Sequence, residues 1–159
     1  MWHHCYAFGG NPVSCAAALA NIRYTEQNNL CTKAREDGEY NRERLNAMRQ
    51  DFSILGEVRG AGLMIGIELI SDKHPTPAAA SAEAVQASCL ERGLFGWGRG
   101  IYGNVVRIQP PLTINRQQID FALGVLRECL QLVNEQAPAE IIPSGAELIA
   151  EHARWQADI

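Results

Sequence analysis

Residues 98 to 103, Gly98-Arg99-Gly100-Ile101-Tyr102-Gly103, carry the Gly-x-Gly-x-x-Gly spacing that can cradle the pyrophosphate of a dinucleotide. That chemistry needs a strand before the glycines and a helix after them, so that the phosphates meet unpaired helix N–H groups. Asn104 to Gln109 instead reads as a strand, stopped by Pro110-Pro111, and a dinucleotide site is not expected. His3-His4-Cys5 supplies metal-binding side chains in a row, but His74 and His152 stand at no ligand spacing to them. No metal site is expected, and no Ser-His-Asp or Cys-His arrangement suggests a nucleophile.

The elements that must position any site belong to a globular chain. Of its 159 residues 47% are apolar and 20% charged, enough to fill a core and too few charges for disorder. A net charge of -4 argues against nucleic acid, which calls for a basic stripe. No apolar run reaches membrane-spanning length, and Met1-Trp2-His3-His4 lacks the basic and apolar regions of a signal peptide. Cysteines stand at 5, 15, 31, 89 and 129, odd in number and without a CxxC pair. Reduced thiols and a cytoplasmic location are the expectation.

Asn11-Pro12 predicts a helix start, with the small residues from Val13 to Asn28 forming the helix. A second helix fits Cys31 to Arg49, with Tyr40, Leu45 and Met48 inward and Glu36, Glu39, Arg42, Glu43 and Arg44 on a solvated face. Residues 52 to 58 and 63 to 69 read as strands joined by a tight turn at Gly60-Ala61-Gly62. Thr76-Pro77 is expected to cap a helix to about Arg92, ended by Gly93. Asn115 with Gln118 predicts a capping box ahead of a helix to about Asn134, with Ile119, Ala122, Leu123, Leu126 and Leu130 on one stripe. Residues 52 to 135 therefore form a compact α+β unit. After Gln136 a linker leads to a last short helix started by Ser144 and Glu147.

Phe8-Gly9-Gly10-Asn11-Pro12 with the following Ser14-Cys15-Ala16-Ala17-Ala18-Leu19-Ala20 resembles class III aminotransferases, fold type I enzymes that use pyridoxal phosphate. The resemblance continues through residues 57 to 68 and again through 100 to 112, covering roughly residues 3 to 134 in order and spacing. Within the family it is most similar to the alanine–glyoxylate aminotransferase 2-like branch. It implies an α+β fold: the small C-terminal domain of a fold type I transferase at 51–135. Before it, residues 1–50 would be the terminal helices of an otherwise missing large domain, and residues 136–159 a linker and helical tail.

The resemblance also implies how function is divided. The family's Schiff-base lysine, the acidic partner of the pyridine nitrogen and the ring-stacking aromatic all lie upstream of the glycine pair. Lys33 and Lys73 fall outside any family motif and read as solvated surface lysines. The chain is thus expected to be the C-terminal portion of a transaminase, without catalytic residues of its own and inactive alone. It would move an amino group between an amino acid or amine and a keto or aldehyde acid only within a complete enzyme. Alternatives are a non-catalytic module that pairs with a full-length relative, or part of a related pyridoxal phosphate decarboxylase. A family threonine that reaches the cofactor phosphate of the neighbouring subunit is Ala7 here, leaving only the backbone of Ala7 and Phe8 for that contact. Arg107 matches the arginine that holds a substrate carboxylate. Arg59 and Gly62 are expected in a structural turn, and Tyr102 and Asn104 at the site's mouth. A homo-oligomer or partner chain would dock through exposed helices at 11–50.

Overall fold

The structure, a computed structural model, describes residues 9–71, 76–96, 98 and 100–136. The tail with its expected helix start at Ser144 and Glu147 lies outside them. Helix α1 (Pro12–Gln27) starts as its sequence dictates. Asn11 Oδ1 accepts from the backbone N–H groups of Val13 and Ser14 at 3.0 and 3.2 Å, and Pro12 occupies the first turn. Asn29, at φ 49°, takes the left-handed conformation that asparagine tolerates, and α2 (Leu30–Met48) follows at once.

The two helices differ in what they bury. None of α1 is buried. In α2, Leu30, Asp37, Gly38, Asn41, Leu45 and Met48 form one buried stripe at helical spacing. Leu45 and Met48 thus point inward as expected. Tyr40 sits at the edge, half-buried, and its hydroxyl donates to Asp120 at 2.6 Å.

Strands β1 (Leu55–Ala61), β2 (Met64–Leu69) and β3 (Val105–Ile108) form one antiparallel sheet in that order. The first strand runs further than its sequence suggested. Arg59, Gly60 and Ala61 still pair with Gly66, Ile65 and Met64, so the turn is Gly62-Leu63 and not residues 60 to 62. Gly62, at φ +53°, supplies the left-handed residue of this two-residue turn. Ahead of the strand, Phe52 N–H bonds back to Met48 O at 3.1 Å, and Phe52 and Ile54 are buried as plugs.

Helix α3 (Ala79–Glu91) has no side-chain cap; its N-cap is Ala78, not Thr76-Pro77. The sheet fixes its start instead. Pro77 pairs with Ile70, and Ala78 N–H bonds to Leu69 O at 3.0 Å. Gly93, at φ +76°, follows the helix as expected. Helix α4 (Arg116–Gln136) opens with the anticipated box: Gln118 N–H bonds to Asn115 Oδ1 at 2.9 Å and Asn115 N–H to Gln118 Oε1 at 3.0 Å.

One core fills the space between the sheet and helices α2, α3 and α4. Ile65, Ile67 and Leu69 of β2 alternate inward into the same core as Val85 of α3 and Ile119, Leu126 and Leu130 of α4. Cys89 and Cys129 are buried where α3 meets α4. Burial, helped by a hydrogen bond to Cys129, pushes the Cys89 thiol up from 9.0 to about 12. Its stabilising protonated form is therefore kept through pH 9 and lost only as pH rises toward 12. Cys15 and Cys31 are exposed. A native titration with a disulfide reagent at pH 8 is expected to modify Cys15 and Cys31 rapidly. Cys89 and Cys129 should react only after denaturation, as peptide mapping of the labelled thiols would read.

Candidate functional site

The sheet has a packed face and an open one. Because side chains alternate, Met64, Gly66 and Glu68 stand opposite to the buried Ile65, Ile67 and Leu69. The register places Arg59 opposite Gly66, and Gly66 opposite Arg107, so the three form one row across the open face. Neighbouring strands are about 4.8 Å apart, which sets the two arginine backbones about 10 Å from each other. Glycine between them leaves a side-chain-free gap. A Cβ at Gly66 would touch Val105 Cγ1 at 3.4 Å.

The two guanidinium groups are treated differently. Arg59 lies 3.0 Å from Glu57 and 3.6 Å from Glu68, so two carboxylates offset its charge. Glu68 is held in turn by Asn104, whose Nδ2 donates to Glu68 Oε1 at 3.3 Å and to Leu69 O at 3.0 Å. Asn104 is buried and fixes the start of β3. Arg107 is exposed, and among the described residues its side chain makes no hydrogen bond or ion pair. A guanidinium with free donors can hold an anion through forked contacts.

Lys33 is not the solvated lysine its context suggested. Its ammonium lies 2.5 Å from Asp37 and also donates to the carbonyl of Ile114, tying α2 to the loop before α4. Asp37 is buried and accepts a second cation, Arg116, at 2.8 Å. Arg116 in turn stacks over the Tyr40 ring at 4.0 Å.

The glycine fingerprint at 98 to 103 leads into β3, not into a helix, so the geometry for a dinucleotide is missing. Gly100 and Gly103, at φ +62° and +71°, serve the turn that brings the chain into that strand. Among the described residues no cluster of three metal-ligating side chains occurs, and His3, His4 and Cys5 lie outside them. Among the same residues no helix is long and apolar enough to cross a membrane.

The profile of the family described as aminotransferase class-III matches residues 2–130. The chain belongs to the class III aminotransferase family. It is 40% identical over 132 residues to the alanine–glyoxylate aminotransferase 2-like protein of Drosophila melanogaster, covering 81% of this chain and 26% of that one. It is 38% identical over 130 residues to the (R)-1-hydroxy-2-aminoethylphosphonate ammonia-lyase of Vibrio splendidus, covering 80% and 26%. A phospholyase from Arthrobacter, solved in complex with phosphoethanolamine, superposes with a TM-score of 0.73 at 40% identity, covering 76% and 29%. The chain thus spans about a quarter of the length of the curated relatives it matches. The α+β fold is that of the small domain of fold type I transferases, as the resemblance implied.

Class III aminotransferases use pyridoxal phosphate, and the described residues do not fit that group. It requires a lysine free to bond the cofactor, whereas Lys33 is committed to Asp37 and Ile114. Lys73, Ala7 and Phe8 lie outside the described residues. Of the positions singled out in the sequence, the fold brings Arg59 and Arg107 into one row and leaves Tyr102 exposed. Glu68 escaped notice. Its signal was present in the strand alternation, which puts an acid on the same face as Arg59.

Proposed function

We propose that this chain is the substrate-side, C-terminal portion of a pyridoxal phosphate-dependent class III aminotransferase, in which Arg107 grips the anionic group of the amino or keto substrate. The large domain of the complete enzyme supplies the cofactor site and the Schiff-base lysine. The carrying observation is the contrast within the row on the open sheet face: Arg59 is offset by Glu57 and Glu68, while Arg107 has no such partner among the described residues. Forked, charge-assisted contacts to a carboxylate suit a guanidinium so exposed. The backbone of Ala7 and Phe8 is assigned to the cofactor phosphate of the neighbouring subunit. Exposed Val13, Leu19 and Ile22 on α1 suit a helix that docks on the large domain or a second subunit. Among the described residues Cys15, Cys31, Cys89 and Cys129 form no disulfide, which fits a cytoplasmic setting.

A second reading is favoured by the similarity to a Vibrio ammonia-lyase and an Arthrobacter phospholyase. Here Arg107 holds a phosphate or phosphonate, and the amino group leaves instead of being transferred. A guanidinium serves either anion.

The division of labour is testable on the chain itself. After incubation with pyridoxal phosphate and borohydride reduction, mass spectrometry is expected to find no stoichiometric phosphopyridoxyl group on Lys33 or Lys73. Full modification of either lysine, with turnover of alanine and glyoxylate, would overturn the assignment of cofactor chemistry to the large domain.

A further inference from the structure

The row of Arg59, Gly66 and Arg107 carries opposite charge at its two ends. At the β3 end Arg107 is exposed, and among the described residues its side chain makes no ion pair. At the β1 end Arg59 meets the carboxylates of Glu57 and Glu68 at 3.0 and 3.6 Å. One guanidinium against two carboxylates leaves that end negative.

Arg59 stands close to whatever Arg107 holds. Its Nη1 lies 3.6 Å from Glu68 of the central strand, so its head group leans over β2. Strand β3 is the next strand, about 4.8 Å further on. Gly66 puts no side chain between the two arginines. Freed of its carboxylates, Arg59 would offer a second forked anion site on the same face.

Glu68 is the firmer of the two restraints. Glu57 is exposed, and an ion pair so placed is worth little on its own. Glu68 is half-buried and oriented by buried Asn104, whose Nδ2 donates to Glu68 Oε1 at 3.3 Å. That leaves Glu68 Oε2 directed at Arg59. We infer that Glu68, assisted by Glu57, is a specificity-determining residue that keeps Arg59 out of anion binding. The substrate therefore carries a single anionic group, held by Arg107, and one with a second anionic group is turned away. The inference rests on the role proposed for Arg107. A second anion on the ligand would meet the field of two carboxylates, with Arg59 already committed.

Glutarate and valerate test this, since they share a five-carbon chain and only glutarate is a dianion. In the full chain at low ionic strength, both acids are expected to move the Nε–H resonance of Arg107 in NMR titrations and to leave that of Arg59 in place. The pair Glu57→Gln and Glu68→Gln keeps the shape of both side chains and the acceptor for Asn104. In that variant glutarate should move both resonances and gain about tenfold in affinity relative to valerate, the worth of one charge-assisted contact. Adding Arg59→Met should remove the gain. In an assembled enzyme the same pair of substitutions should raise kcat/KM for 2-oxoglutarate relative to 2-oxovalerate by about tenfold, a gain that mere structural damage does not produce. A shift of Arg59 by glutarate in the unsubstituted chain would overturn this inference alone. So would an unchanged preference in the doubly substituted variant, or a gain that survives Arg59→Met. An Arg107 resonance unmoved by either acid would overturn the role of Arg107 itself, and this inference with it.

Discussion

Alanine at Gly38 is expected to destabilise the chain by about 2–3 kcal/mol, although alanine is the better helix former by about 1 kcal/mol. The added Cβ would lie 2.1 Å from the carbonyl oxygen of Gly62, 2.3 Å from its carbonyl carbon and 2.7 Å from its Cα. These are backbone atoms of the turn joining β1 to β2, so no side-chain rotation relieves the clash. Either α2 lifts from the sheet, loosening buried Leu45 and Met48, or the turn moves and the row of Arg59, Gly66 and Arg107 shifts with it. For a unit of this size the loss corresponds to a fall of about 10 °C in melting temperature. Gly124 provides the contrast, because a Cβ there meets nothing within 4 Å on an exposed stretch of α4. Gly124→Ala should stabilise by about 0.5–1 kcal/mol. Urea denaturation of the two variants side by side checks the pair. Equal stability would mean that α2 does not press on the turn.

Arg107→Met in the assembled enzyme is expected to lower kcat/KM for anionic substrates by about 10- to 100-fold, the worth of a charge-assisted contact made or lost. A neutral amine donor, which offers Arg107 no anion, should be nearly unaffected. The strand should tolerate the change, since Arg107 is exposed and makes no side-chain hydrogen bond among the described residues. Arg59→Met is the control. It breaks the ion pairs with Glu57 and Glu68 and acts on both substrate types alike. If instead Arg59→Met alone selected against anionic substrates, the receptor would be at Arg59. The assay can use a graft in which residues 9–134 of this chain replace the matching segment of the complete Drosophila relative.

Local chemistry made some of this legible in the sequence. Asn11-Pro12 and the Asn115–Gln118 box are encoded within four residues, and both helices start where those residues dictate. The failures are long-range. The β1–β2 turn sits at Gly62-Leu63, where Gly38 from α2 packs against it, and no pattern within residues 52 to 69 reveals that neighbour. Helix α3 starts at Ala79 because Ala78 and Pro77 are tied to β2, which overrides the apparent cap at Thr76. Lys33 looked solvated because Ile114, its carbonyl partner, lies 81 residues away. The row of arginines needed the strand register, which the alternation suggests and only the sheet's pairing fixes. Arg107 itself came from the family resemblance, since spacing alone gives no reason to prefer it over Arg59.

Steady-state turnover of the unsubstituted graft is the most direct measurement of whether this chain forms the substrate side of a transaminase. Amino transfer from an amino acid to glyoxylate, within about tenfold of the intact relative, is the expected result; tenfold is about 1.4 kcal/mol of barrier. A graft that folds, takes up pyridoxal phosphate and turns over neither amino acids nor phosphorylated amines would contradict it.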